Sequence, residues 1–252
     1  KNKTFGQWAV KNIFGRGKSV GVLGAAPSRV ASYDVDTGME VNIIKQYGVV
    51  HLKGALTLKE QESLFNEVKD NVRGVGNYPG TSHASSGPPG SSHRNATLHT
   101  LGELLFTRSA EAVVSSLTPS EISSSPSLAR LGSLASGSVP PNVQNVTCAT
   151  YKAGSTMVNH CDLDRPLYTM SVAVGDSCTF TVGLKTPRPY KNENSGTPID
   201  ILMSSGDAIY FDGGSVPHCV SAIIPGTAPE YYVKNKPKNN VVRISVLFRE
   251  SC

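Results

Sequence analysis

The sequence is sparing with charge and aromatics: 17% of its 252 residues are charged, 7% are aromatic, and a single tryptophan is present. No uncharged apolar stretch reaches the length of a membrane span, and no signal-peptide pattern opens the chain. No CxxC pair occurs. The five cysteines (Cys148, Cys161, Cys178, Cys219, Cys252) are odd in number and scattered, which argues against a disulfide framework and a structural zinc site. A reducing, intracellular compartment is expected, with nucleus and cytoplasm both open, and the sequons at Asn2, Asn95 and Asn145 are then accidental. Lys1 rather than methionine comes first, so the chain reads as trimmed, with any N-terminal address outside it. Acids are missing from residues 1–33, which carry Lys1, Lys3, Lys11, Arg16, Lys18 and Arg29. That stretch is either a basic arm on phosphates or a solvated leader. The net charge of +5 permits a polyanionic partner without proving one.

What is abundant is loop chemistry. Gly 24 and Pro 16, with many serines, suggest short strands joined by turns rather than a helical bundle. "YGVVHLKG" (47–54) reads as a strand. Thr57 to Glu60 forms a capping box opening a helix whose apolar stripe is Leu58, Leu64, Phe65 and Val68. After Arg73 the glycine-, serine- and proline-rich run to His93 is too long for a simple connection, and Tyr78 is its one aromatic. A second helix is expected near 96–117, weak structure over 118–142, and short strands at 145–151, 166–174, 178–184, 199–203, 207–211, 218–224 and 241–249. Regular short strands with turn signals point to a sandwich or jelly roll.

Two patterns in the β-rich half carry chemistry. In "NHCDLDRPLYTMSV", His160 and Asp162 lie two apart, so an extended strand points both to one side and Cys161 away. An imidazole and a carboxylate are two parts of a 2-His-1-carboxylate iron site, and "GDAIYFDGGSVPHCVSAI" offers His218 as the third. In "NNVVRISVLFRES", Val242, Ile244, Val246 and Phe248 form one face, while Arg243, Ser245, Leu247 and Arg249 form the other. An arginine is almost never buried without a partner, and a guanidinium grips a carboxylate bidentately. Two inward arginines thus suit 2-oxoglutarate, the dicarboxylate that such iron oxygenases commonly take. The bland readings are structural histidines, a turn-capping Asp162, an exposed Arg249 at the strand end, and small buried thiols at Cys161 and Cys219. His51, His83, His93 and His99 show no partner pattern and read as structural or exposed.

"TYKAGSTMVNHCD", "PLYTMSVAVGDSCTFTVG", "SSGDAIYFDGGSVPHCV" and "RISVLFRES", in that order, resemble the AlkB-type Fe(II)/2-oxoglutarate-dependent dioxygenases, and "YGVVHLKGALTLKEQESLFNEV" resembles that family's opening strand and helix. The resemblance implies an α+β fold: a double-stranded β-helix (jelly roll) core with N-terminal helices packed on it and a substrate-recognition lid. On this basis 1–40 is a basic arm, 41–252 a single dioxygenase domain, 73–95 the lid and 145–252 the core. The resemblance assigns iron to His160, Asp162 and His218, and the distal carboxylate of 2-oxoglutarate to Arg243. Arg249 lies near the cosubstrate's metal-chelating end, and Tyr151 hydrogen-bonds the cosubstrate. Asp164 matches a position that touches the methylated base in some members, with a surface-loop aspartate as the other reading, and Tyr78 either stacks on the base or anchors the lid loop. Ala149, Ser245 and Leu247 depart from the family pattern, which has polar residues at such positions. Fe(II), 2-oxoglutarate and O2 are the implied cofactors. The implied activity is oxidative demethylation of N-methylated bases in DNA or RNA by a monomer without membrane attachment. Lys185, Arg188, Lys191, Lys234, Lys236 and Lys238 either track phosphates or form solvated loops. The alternatives are hydroxylation of a C-methyl base or a protein side chain, or a nucleic-acid-binding module without turnover.

Overall fold

Alternation along the strands divides the interior into two cores. A computed structural model describes residues 29–34, 38–69, 81–85, 96–162, 166–184 and 197–251. Its strands are β1 (Arg29–Asp34), β2 (Met39–Ile44), β3 (Val49–Lys53), β4 (Thr81–Ser85), β5 (Asn145–Lys152), β6 (Met157–His160), β7 (Leu167–Gly175), β8 (Ser177–Val182), β9 (Ile199–Met203), β10 (Ala208–Asp212), β11 (His218–Ile224) and β12 (Val241–Ser251). One sheet runs β1-β2-β3-β10-β7-β12-β5-β4 and the other β6-β11-β8-β9. The pairings are antiparallel. This is the expected double-stranded β-helix, mixed with helices. In β10, Ala208 and Tyr210 join the helix-side core, whereas Ile209 and Phe211 face the smaller sheet. A period of two allows one strand to serve both cores.

The helices are α1 (Leu58–Val68), α2 (Ala96–Ser116), α3 (Pro119–Ile122), α4 (Pro126–Ala135) and α5 (Glu230–Lys234). Leu64, Phe65 and Val68 of α1, with Leu105 and Phe106 of α2 and Leu131 of α4, pack in one cluster with Tyr210, Ile244, Val246 and Phe248. The capping box opens α1 as expected: Thr57 N donates to Glu60 Oε2 at 2.8 Å and Glu60 N to Thr57 Oγ1 at 3.3 Å. Thr57→Ala is expected to cost about 1 kcal/mol of stability, read by urea unfolding, with Thr57→Asp keeping most of it. Leu58, by contrast, is exposed, and Gln61 takes the place expected for it in the buried stripe. Helical side chains lean toward the N-terminus, so one in the first turn overhangs whatever lies beneath the helix. Among the described residues no helix is long and apolar enough to cross a membrane.

Two further expectations need correction. The stretch 118–142 is not weakly structured: Thr118 and Ser125 cap α3 and α4, each with proline at the first helical turn. Thr118-Pro119 and Ser125-Pro126 within this serine- and proline-rich stretch are helix starts, with the hydroxyl residue as cap and proline in the first turn. Arg130 of α4 also ties this segment to β12, donating from Nε to Glu250 Oε2 at 3.1 Å and from Nη2 to Oε1 at 3.2 Å. In the candidate lid, residues 81–85 form β4 on the sheet edge beside β5, while Tyr78 lies outside the described residues. Along β12 the register shifts between Val241 and Arg243. Val241 therefore joins the helix-side core, and Val242 packs against the opposite cluster rather than beside Ile244. A bulge of this kind moves every earlier residue to the other face.

Candidate active site

Between the sheets, the inward faces of β5, β7, β10, β11 and β12 line a cavity enclosing about 490 Å³ of space free of protein atoms, part of it open to solvent. His160, Asp162, His218, Tyr151, Arg243 and Arg249 all line it. These are six of the eight residues singled out from the sequence. Asp164 and Tyr78 lie outside the described residues.

His160 and His218 are register partners on β6 and β11, which sets their rings 4.5 Å apart. Strand alternation does not place Asp162, because β6 ends at His160. The aspartate lies beyond it, and its backbone N–H donates to Gly213 O at 2.7 Å. Asp162 Oδ1 lies 3.3 Å from His160 Nε2 and 3.8 Å from His218 Nε2. The ligand atoms of the three residues all fall within 4.8 Å of one another. Each histidine is turned the same way: His160 Nδ1 sits 2.8 Å from Val158 O and His218 Nδ1 2.9 Å from Val216 O. A backbone carbonyl on Nδ1 fixes the tautomer and leaves the Nε2 lone pair for a metal.

The electrostatics suit a cation. Burial opposes the Asp162 charge, yet the hydrogen bond with His160, and the nearby His218 and Arg249, hold its carboxyl well below the usual range. Burial lowers the His218 imidazole to about 4. His160 feels burial most, but its bonds to Asp162 and to the Val158 carbonyl leave it above the ordinary value. Phe211 and Phe180 pack on His218, with ring centroids 4.6 and 5.8 Å away. No periodicity in the sequence marks these two rings as part of the site; only their place on inward positions of β10 and β8 does.

The arginines sit at opposite ends of the β12 cavity face. Arg243 is 2% exposed, and its Nη1 donates to Asp176 O at 2.7 Å and Met203 O at 3.2 Å. Its Nε has no hydrogen-bond partner, and among the described residues no carboxylate pairs with it. A buried cation balanced only by carbonyl dipoles is costly, and such a site fits a carboxylate ligand. Tyr151 is its register partner on β5, and burial pushes that phenol far up, so it remains a donor. Arg249 instead donates from Nη1 to Thr147 Oγ1 at 2.9 Å and from Nη2 to Asp162 Oδ2 at 3.3 Å. The two carboxylate oxygens of Asp162 are thus divided, one toward the histidines and one toward Arg249. Ala149, Ser245 and Leu247, the departures from the resembled pattern, also line the cavity: Ala149 and Leu247 give it apolar wall, while Ser245 keeps a hydroxyl beside Tyr151.

His51 takes the structural one of its two readings: it is buried, with Nε2 3.2 Å from Asp207 Oδ2, a residue 156 positions away and so invisible to local pattern. Of the lysines read as either tracking phosphates or solvated, Lys234 pairs with Glu230 at 2.6 Å on the exposed face of α5. Lys185, Arg188 and Lys191 lie outside the described residues.

The chain belongs to the 2OG-Fe(II) oxygenase superfamily, whose pattern it matches over residues 48–249. It is therefore an oxidoreductase that uses Fe(II), 2-oxoglutarate and O2. No curated protein sequence matches it. Its fold is similar to that of OsALKBH1, at 17% identity over 81% of this chain and 98% of that one, with a TM-score of 0.56. Weaker similarities extend to a Pseudomonas putida prolyl-4-hydroxylase (14% identity, 82% and 94% covered, TM-score 0.45) and to HygX from Streptomyces hygroscopicus with nickel and 2-oxoglutarate bound (13%, 81% and 83%, 0.46).

Proposed function

We propose that the protein is an AlkB-type oxygenase that removes methyl groups from the nitrogen atoms of nucleic-acid bases. The reading takes 145–252 as the catalytic core and 73–95 as the lid over the base. The observation that supports it best is the layout of β12. Arg243, beside Tyr151, closes one end of the cavity without a carboxylate partner among the described residues, and Arg249 touches the Asp162 carboxylate at the other. This is the placement that the sequence resemblance assigns to these three residues.

In this reading His160, Asp162 and His218 hold the iron through two Nε2 atoms and Oδ1, a donor set that suits Fe(II) and leaves positions open. The bound metal supplies O2 activation coupled to decarboxylation of 2-oxoglutarate. Arg243 anchors the distal carboxylate of the cosubstrate through a charge-assisted bond, and Tyr151 donates to it. Arg249 fixes the Asp162 carboxylate so that a single oxygen faces the metal. Phe180, Phe211 and Leu247 keep bulk water from the reacting centre. One oxygen atom of O2 enters succinate and the other the substrate methyl group. The resulting N-hydroxymethyl group leaves as formaldehyde and returns its nitrogen to N–H.

The test is incubation with Fe(II), 2-oxoglutarate and single-stranded DNA or RNA oligonucleotides, each carrying one N-methylated base. Formaldehyde and succinate are expected in equal amounts, with a net loss of CH2 from the oligonucleotide as N–CH3 becomes N–H. Succinate without formaldehyde on every oligonucleotide, but with oxygen added to a C-methyl base or a peptide, overturns the demethylase reading and leaves the oxygenase intact.

A further inference from the structure

We propose that Gly213 is a positioning residue for the Asp162 carboxylate, a role that rests on the reading of Asp162 as a metal ligand. Strand β10 ends at Asp212, whose Oδ1 accepts from Leu167 N at 2.8 Å and from Gly214 N at 3.0 Å. The next residue, Gly213, donates its N–H to Leu167 O at 2.8 Å and accepts the Asp162 N–H at 2.7 Å. Its two backbone groups therefore pin both sides of the loop that carries Asp162. A Cβ built on Gly213 would lie 2.6 Å from Asp162 Oδ2, 3.2 Å from Thr169 Oγ1 and 3.3 Å from Asp162 Cγ. The first of these lies inside van der Waals contact.

Backbone conformation does not demand a glycine here, because Gly213 is not among the residues with positive φ. What the position requires is space, the other reason for a glycine. Asp162 cannot retreat cheaply from a methyl group, since Oδ2 is held by Arg249 at 3.3 Å and Oδ1 faces His160 at 3.3 Å. Any side chain at 213 must rotate the carboxylate, and one rotation disturbs the Arg249 pair and the ligating oxygen together. Gly213 thus decides which oxygen faces the histidines, although it offers the metal no atom.

Two measurements on Gly213→Ala test this. The first is Mn(II) affinity, titrated into metal-free protein. A roughly ten- to hundredfold loss is expected, the range seen when a group that orients a metal ligand is changed. Wild-type affinity in the variant overturns the inference. The second needs no metal: thermal unfolding of the metal-free protein with Gly213→Ala placed in the wild-type and the Asp162→Ala backgrounds. If the methyl acts through the carboxylate, most of its melting-temperature loss disappears once that carboxylate is gone. An equal loss in both backgrounds means the glycine serves packing alone, and the inference falls. Should Gly213→Ala fail to fold, the double variant decides, since folding supports the inference and failure overturns it. Absence of Mn(II) binding by the wild-type protein would instead sink the metal assignment, and the unfolding cycle would still report on the contact.

Discussion

His160→Ala and Asp162→Ala are expected to abolish Fe(II) and Mn(II) binding while leaving the β-sheet signal unchanged. Each removes one of three candidate protein ligands, and the neighbours cannot substitute. His218 and His160 both turn Nδ1 to a backbone carbonyl and Nε2 toward Asp162 Oδ1, and Asp162 Oδ2 is occupied by Arg249. Two remaining ligands hold a divalent ion far more weakly, because the chelate that fixes the geometry is lost. The two substitutions should differ in their effect on the metal-free protein. Removing Asp162 leaves Arg249 partly buried beside two imidazoles, without its anion and with Thr147 as its one remaining partner. A loss of stability on the order of 1–3 kcal/mol is expected for stranding a charge in this way. Removing His160 frees a carboxylate that still keeps Arg249, so the cost should be smaller. Isothermal titration with Mn(II) and urea unfolding separate the two effects. Metal binding at wild-type affinity by either variant would reject the assignment.

The difference between these two residues shows how far the sequence could be read. His218 is legible at the start of an expected strand, whereas His160 is legible only from the His-x-Asp spacing and the order of motifs, since no strand is expected over 157–160. Asp162 lines the cavity, but not for the reason that strand alternation gives. Strand alternation ends before it, and a carbonyl 51 positions downstream in the chain holds it. Such a contact leaves no local trace beyond "DGG", which reads as an ordinary turn. The same holds for His51 and Asp207, whose pairing crosses from β3 to the start of β10. Local readings also failed where two meanings compete for one dipeptide, as at Thr118-Pro119 and Ser125-Pro126, where turn and helix start share residue types. Patterns of period two and capping motifs survive translation into structure because their partners are near in sequence. Partners that meet only in the folded sheet do not.

Arg243→Leu should leave the metal in place and remove the cosubstrate. The guanidinium is 2% exposed and already donates from Nη1 to the Asp176 and Met203 carbonyls, which aims the rest of the group without neutralising it. A 2-oxoglutarate carboxylate arriving there completes a buried ion pair. Truncating one partner of such a pair costs roughly 2–5 kcal/mol, or about thirty- to several-thousandfold in affinity. In the ligand-free protein the sign reverses. Leucine removes a buried charge that has no anion among the described residues, so stability should hold or rise, as it does when unpaired buried ions give way to apolar side chains. Wild-type protein is then expected to gain melting temperature on adding 2-oxoglutarate with Mn(II), and Arg243→Leu to gain it from Mn(II) alone. Arg243→Lys should recover part of the affinity, since an ammonium keeps the charge but lacks the planar fork. Arg249→Leu should behave differently again. It loosens Asp162 as well as the chelating end of the cosubstrate, so metal and 2-oxoglutarate affinities should fall together. The measurement is 2-oxoglutarate titration into the anaerobic Fe(II) protein, followed by its visible charge-transfer absorption. If Arg243→Leu binds as tightly as wild type, the orphaned guanidinium answers to some other anion, and 2-oxoglutarate is seated elsewhere in the cavity.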